Sequence, residues 1–424
     1  MSVSATGPEV SLSEGARRQN ALSLLLFLLM VVAFLTRFCI PPELMNRVMD
    51  YTSENGAIYE KLHAGTYLIL FLAPFALFCR PIFLRGDEIG KFKALLRFCG
   101  LLVLLVIFLV GTGRAGSSGT YIDTYLIAGA AGLTLFSVNE AMRRMVGNVI
   151  LAMLILSALI GVGEAATHFR LLPYTNNELS FRPTGLTDHP LTLGMMCATG
   201  ISFVALARWP IWARSASILV LFIGAAASGA RFSLLLAAAE ILALVIFVPW
   251  PQLSPRHARQ AKAVVLLGTL VVGAALVAVL FAGGFLSRFG DTLFDENAAA
   301  RVTIYRVFEF TGWKELLFGA DLNMIVKIVN EELGLPFIES TPVYLTYQLG
   351  LPLALAFAAL VFWIFGRMLR RSPRTAWIAT AIFFLTALSN NTLSSKTPVV
   401  AIVLVLIIAF GASNVPAEDR RDVG

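Results

Sequence analysis

Apolar runs of 17 to 23 residues, nearly free of charge, recur along the whole chain. A run of that length, wound as an α-helix, crosses a hydrocarbon layer. In lipid the backbone must satisfy its own N–H and C=O groups, and a helix does this within one segment. The runs lack the apolar–polar alternation of barrel strands, which argues against an outer-membrane barrel. The sequence therefore predicts an all-α polytopic membrane protein. Twelve transmembrane helices are expected, at roughly 21–40, 64–79, 96–113, 121–138, 145–163, 190–207, 211–228, 232–250, 263–285, 342–366, 375–390 and 397–413.

Charge orients these spans. With 58% hydrophobic and 14% charged residues and a net charge of +7, the chain has a basic excess that invites a nucleic-acid reading. The basic residues instead cluster in alternate short loops, the pattern of cytoplasmic segments in membrane proteins. With both termini cytoplasmic, the inner segments hold 20 of the 33 Lys and Arg, among them Arg80, Arg85, Lys91, Arg143, Arg144, Arg256, Arg367 and Arg370. This gives a cytoplasmic tail at 1–20, a single transmembrane domain at 21–413 and a second cytoplasmic tail at 414–424. The first apolar run lacks a small-residue cleavage site, so the start reads as a tail and anchor rather than a leader. Cys39, Cys79, Cys99 and Cys197 sit in or beside apolar spans without metal-type spacing, and imply neither a disulfide frame nor zinc.

The outer side holds loops 41–63, 164–189 and 286–341. The last is the only long one, and loops of that length in compact folds are usually functional. Within it, 298–318 reads as an amphipathic helix with Val302, Tyr305, Phe308 and Leu316 among Arg301, Arg306 and Lys314. The segment Phe181-Arg182-Pro183-Thr184-Gly185-Leu186-Thr187-Asp188-His189-Pro190 places a fixed cation, a carboxylate and a titratable ring in one short loop, shaped by Gly185 and Pro190.

Six arginines gather on the predicted outer side: Arg114, Arg182, Arg231, Arg288, Arg301 and Arg306. Arginine next to hydrocarbon is costly unless paired, hydrated or occupied by an anion. Guanidinium also suits bidentate phosphate binding and keeps its charge. Several facing one cavity would suit a lipid-linked phosphate or pyrophosphate. Each has a plainer reading beside this one. Arg114 or Arg231 alone fits a snorkelling interfacial residue, and Arg301 and Arg306 fit the wet face of a helix. His63 reads as structural, His168 as a loop residue, Asp123 as a partner for an arginine in either a functional or a structural role, and Glu240 as structural. The turn 389–396, rich in Ser, Asn and Thr, either holds sugar hydroxyls or is an ordinary polar turn.

Taken together these residues resemble the O-antigen ligase and polysaccharide polymerase superfamily of bacterial inner-membrane proteins. Arg182-Pro-Thr-Gly185-Leu-Thr-Asp-His189-Pro190 is similar to the family's Arg-x-x-Gly-x-x-x-His-Pro loop. Ser228-Gly-Ala-Arg231 is similar to its Ser-x-x-Arg turn. Arg301-x-x-x-x-Arg306, with Trp313 and Leu317-Phe318-Gly319, resembles its arginine-bearing periplasmic helix. Tyr344-Leu345 with Leu349-Gly350-Leu351 is similar to the stretch re-entering the membrane. The four fall in the family's order between Phe181 and Gly350. Ligases of the family carry a His-Asn pair where this chain reads Glu339-Ser340-Thr341-Pro342, a departure that favours the polymerase branch.

The resemblance implies a GT-C-like fold and a metal-independent inverting glycosyltransferase needing no cofactor, with its active face periplasmic. It implies a polyprenyl-pyrophosphate-linked glycan as donor within the membrane lipid, and a flippase and chain-length or export proteins as partners; no nucleic acid is expected. Arg182, Arg231, Arg301, Arg306 and Arg114 are then expected at the pyrophosphate, with His189 or Glu339 as the base and Arg182 assisting catalysis. An O-antigen ligase, a transporter or flippase of lipid-linked saccharide, and a non-catalytic scaffold remain the alternatives.

Overall fold

The computed structural model describes residues 14–52, 58–79, 82–84, 86–174, 181–248, 254–282 and 296–411. All regular structure among these is helical. The α-helices are α1 Glu14–Cys39, α2 Pro42–Met45, α3 Ala64–Phe78, α4 Asp87–Gly111, α5 Ala115–Thr120, α6 Ile127–Phe136, α7 Glu140–Thr167, α8 Pro190–Leu206, α9 Ile211–Ala227, α10 Arg231–Phe247, α11 Pro255–Ala282, α12 Glu296–Thr303, α13 Trp313–Phe318, α14 Leu322–Leu333, α15 Thr341–Leu349, α16 Leu351–Leu369, α17 Arg374–Leu388 and α18 Val399–Phe410. A π-helical turn, Tyr121–Leu126, joins α5 to α6.

Four stretches are long and apolar enough to cross a membrane: Ala21–Cys39, Asp87–Gly111, Glu140–Thr167 and Leu351–Leu369. Five shorter apolar helices, α3, α8, α9, α17 and α18, accompany them. Every residue of α18 is buried, as are most of α8, so these helices are apolar on all sides and form the centre. Around α18 pack α6, α7 and α8; around α8 pack α9, α10 and α17. Outward-facing Phe71, Phe78, Leu104, Ile107 and Trp212 are all more than half exposed. So large an apolar surface is unfavourable in water, and the architecture fits a helical membrane protein.

Two stretches depart from the sequence reading. The span expected at 342–366 is two helices, α15 and α16, meeting at Gly350. Gly350 has φ 84°, and a Cβ there would lie 2.3 Å from the Leu317 carbonyl oxygen, so the corner depends on glycine. The amphipathic helix expected at 298–318 is broken into α12, a 3-10 segment Ile304–Glu309 and α13. The reason is a small separate core. Ile304 and Val307 bury themselves against Ile325 and Val329 of α14 and against Ile338, Val343 and Tyr347, which folds the chain back instead of letting it run on. Helix α14 itself is capped by Asp321, whose side chain accepts the Asn323 N–H, and ends at Gly334 with φ 66°. Helices α12–α15 thus make a cap over one end of the bundle.

Candidate functional site

A single carboxylate holds the loop that precedes α8. Glu164, buried in the last turn of α7, accepts N–H bonds on Oε2 from Thr184 at 2.8 Å and Gly185 at 2.9 Å, and on Oε1 from Leu171 at 2.9 Å. Gly185 has φ 57°, and a Cβ there would lie 2.4 Å from the Ser157 carbonyl oxygen. Only glycine lets the turn close on α7. Ser157 Oγ accepts the next N–H, from Leu186, at 3.0 Å, and Thr187 Oγ1 donates to the Thr184 carbonyl at 2.7 Å. Five hydrogen bonds therefore fix this loop's shape.

Arg182 is only 9% exposed, and its Nε donates to the Ser228 carbonyl at 3.3 Å. Ser228 Oγ accepts the Ala230 N–H at 3.2 Å, and Gly229, with φ 67°, reverses the chain so that α10 begins at Arg231. A Cβ on Gly194 of α8 would lie 2.7 Å from Ser228 Oγ, so α8 packs flush against this turn. Arg182 is thus held on the turn that leads into the half-buried Arg231, against which α8, capped by His189, packs.

His189 takes a different position from that of a base. Its Nδ1 accepts the Leu191 N–H at 3.1 Å and caps α8. With that lone pair engaged, the neutral ring keeps its hydrogen on Nε2. In this position Nδ1 serves as a helix cap rather than as a proton acceptor. His63 caps α3 in the same way, accepting the Gly65 N–H at 3.0 Å, while its Nε2 sits 3.0 Å from the Ile40 carbonyl. Burial first, and the Arg37 charge second, lower its pKa to about 3.

The other expected residues sit in or against the cap. Arg114 donates from Nη1 to the Gln348 carbonyl at 3.0 Å and from Nη2 to the Phe318 carbonyl at 2.8 Å. One N–H of each terminal nitrogen is used on the ends of α13 and α15, a bracing role for Arg114. Arg306 pairs with Glu309 on the surface, at 3.5 Å. Arg301 is half-buried with its Nε unpartnered. Glu339 is half-buried and precedes Ser340, whose Oγ donates to the Tyr305 hydroxyl at 3.2 Å, and Thr341, whose Oγ1 donates to the Asn390 carbonyl at 3.0 Å. The first bond ties the Glu339 segment to the 3-10 segment Ile304–Glu309, and the second ties it to the turn after α17. Arg288 lies outside the described residues.

Next to the Arg182 loop lies a polar knot that the sequence reading divided among separate segments. Asp123, on the π-helical turn and fully buried, accepts from the Tyr51 hydroxyl at 2.7 Å and from the His63 N–H at 3.2 Å. The arginine expected beside it is Arg37, which donates to the Asp123 carbonyl, not its carboxylate, at 3.1 Å. Lys396 donates to the Tyr51 and Lys61 carbonyls at 2.7 and 3.0 Å and lies over the Tyr51 ring. Burial lowers its pKa to about 8 despite the pull of Asp123.

Two cavities flank the 389–398 segment. One, a small cavity, is lined by Arg37, Asp188 and Lys396 among apolar neighbours. The other is larger, almost wholly apolar, and runs between α16 and α17, with Thr341, Phe357, Phe362, Phe384 and Leu393 on its walls. Glu164 and Arg37 were missed by the sequence reading. Each is a lone charge at the end of an apolar run, and that was the available signal. No family model, curated protein or solved structure matches this chain.

Proposed function

We propose that the chain is a polysaccharide polymerase of the bacterial inner membrane, a metal-independent inverting glycosyltransferase with a GT-C-like, twelve-span bundle and its site on the periplasmic face. The observation that carries this reading is the preset cationic loop: Arg182, buried on a loop clamped by Glu164, beside Arg231 and the His189 cap. An arginine held in place before the ligand arrives loses little entropy when it binds a pyrophosphate, and a fixed cation stabilises the charge that grows on that leaving group. The apolar cleft between α16 and α17 suits the tail of a polyprenyl carrier, and Glu339 lies two residues before Thr341 on its wall.

The reaction follows from these parts. A hydroxyl of the acceptor glycan attacks the anomeric carbon of the lipid-linked glycan, its proton passing to a base. The anomeric C–O bond breaks, and its electron pair leaves on the polyprenyl pyrophosphate, where Arg182 and Arg231 meet it.

The test is transfer by purified protein in nanodiscs, supplied with a lipid-linked oligosaccharide and a chelator, wild type against Arg182→Ala. Longer lipid-linked glycan from wild type alone is the expected result. Transfer to a different acceptor makes the chain a ligase. Neither lengthening nor transfer by wild type, with saccharide instead crossing a vesicle membrane, overturns the reading in favour of a transporter.

A further inference from the structure

The cavity beside the Arg182 loop carries unmet hydrogen-bonding capacity of both kinds. Arg37 is 3% exposed, and its Nε is buried without a partner while Nη2 is bound to the Asp123 carbonyl. Asp188 Oδ1 is likewise buried and unpartnered. Both residues line the cavity, together with Ser157, Thr187, Thr192 and Lys396. A buried polar atom without a partner is rare and costly in a folded protein, and where it faces a cavity it marks a place for a ligand atom.

The charges narrow the ligand class. An anion would satisfy Arg37 and Lys396 but meet Asp188. A cation would meet the reverse conflict. A neutral group rich in hydroxyls satisfies both, because each O–H donates as well as accepts. The remaining walls, Met153, Leu154 and Pro398 among them, are apolar and suit the C–H face of a sugar ring. Asp188 also belongs to the clamped loop, adjacent to His189, so a hydroxyl bound to it lies on the side of the loop that faces this cavity.

We infer that this cavity is the acceptor subsite: it holds a sugar ring of the acceptor glycan between Arg37 and Asp188, and Asp188 is the base that takes the proton of the attacking hydroxyl. This rests on the glycosyltransferase reading and fills the role that His189 leaves open. In the step, the acceptor O–H proton moves to the Asp188 carboxylate as the oxygen forms its bond to the anomeric carbon. The anomeric C–O bond breaks towards the pyrophosphate, and Asp188 then returns its proton to water. The two cavities on either side of residues 389–398 thereby separate acceptor sugar from carrier lipid.

The experiment uses the full chain in nanodiscs, with a lipid-linked repeat unit as donor and a fluorescent, lipid-free oligosaccharide of the same repeat as acceptor. Asp188→Ala is expected to lower kcat by about 10²–10⁴-fold, the range lost with a general base. Added formate, which fits the space vacated by the carboxylate, is expected to restore at least about ten-fold of it. Asp188→Asn, which keeps the shape, decides if the alanine variant does not fold: it should lose kcat while its acceptor KM holds. Arg37→Gln should raise the acceptor KM and leave the donor KM unchanged. Wild-type transfer with Asp188→Asn at near-normal kcat, or a rise only in KM, overturns the assignment while the glycosyltransferase reading stands. No transfer by wild type overturns both.

Discussion

Gly185 gives its backbone N–H to the Glu164 carboxylate at 2.9 Å, across 21 positions of sequence. The same oxygen takes the Thr184 N–H, and the other takes that of Leu171, so one side chain anchors both ends of the segment between α7 and α8. Glu164→Ala strands three backbone N–H groups, of which the two buried ones, on Thr184 and Gly185, cost about 1–3 kcal/mol each when unpaired. The expected outcome is a large drop in the thermal unfolding temperature, followed by tryptophan fluorescence in detergent, with loss of transfer. Glu164→Gln should fall between, because an amide can accept at only one end. An unfolding temperature unchanged by the alanine substitution would remove the clamp from the argument.

Gly185→Ala tests the same loop from the other side. A left-handed conformation costs alanine about 1–2 kcal/mol, and the added Cβ would collide with the Ser157 carbonyl 2.4 Å away. Relief requires the loop to lift off α7, which moves Arg182 and Asp188 together. The expected readout is a transfer rate reduced more than acceptor binding, with normal protein level. Wild-type kinetics would mean that the loop tolerates the shift and its shape is not critical.

Arg114 makes a contrasting prediction. Its guanidinium joins the α4–α5 corner to carbonyls at the ends of α13 and α15, so Arg114→Ala should loosen the cap without touching the pyrophosphate site. Limited proteolysis should then cut within residues 301–340 faster than in wild type. Unchanged proteolysis together with a raised donor KM would return Arg114 to the ligand set.

The helical plan was legible because burial in lipid leaves long apolar runs, and each of the twelve expected runs centres on helix. The break at Gly350 was not, since an apolar run stays apolar across a corner made by one positive φ. Helix α14 was legible in principle, with Asp321 before it, Gly334 after it, and Ile325 and Val329 one turn apart. The loop 181–190 stood out by its residue types, but its anchor did not. Nothing in the sequence says that Glu164 reaches Gly185, because such pairing is a property of the closed turn. His189 shows the limit most clearly: the sequence supplies a titratable ring, and only the Leu191 N–H reveals that Nδ1 is already in use.

His63 sets a pH dependence. Its folded pKa, about 3, lies below the ordinary 6.5 because burial penalises the charged ring and the Arg37 charge adds to that, while the bond to the Ile40 carbonyl pulls the other way. Between those values the unfolded chain binds a proton that the folded chain refuses. Stability is therefore full above pH 6.5, falls as pH drops through the window and levels near 3, with a loss on the order of a few kcal/mol. Unfolding temperatures measured from about pH 7 to pH 4 should fall, and His63→Asn, which caps but does not titrate, should flatten part of the slope. An equal slope in the variant would assign the pH dependence elsewhere.

The bond from Tyr51 to Asp123 is the last relation open to direct measurement. It joins the loop after α2 to the π-helical turn, and Asp123 otherwise receives the His63 N–H. A π-turn leaves backbone groups out of register, and here the Asp123 carbonyl takes Arg37 Nη2, so the turn and the knot hold each other. Tyr51→Phe removes a hydrogen bond to a charged acceptor, worth about 1.5–3 kcal/mol. Asp123→Asn removes the charge, and the double variant should lose less than the two singles together. A coupling of about 1–3 kcal/mol in unfolding free energy is expected from such a cycle. The cavity residue Arg37 hangs on the same knot, so Tyr51→Phe should also raise the acceptor KM while the donor KM holds. Strict additivity, with both KM values unchanged, would show that the knot does not position Arg37.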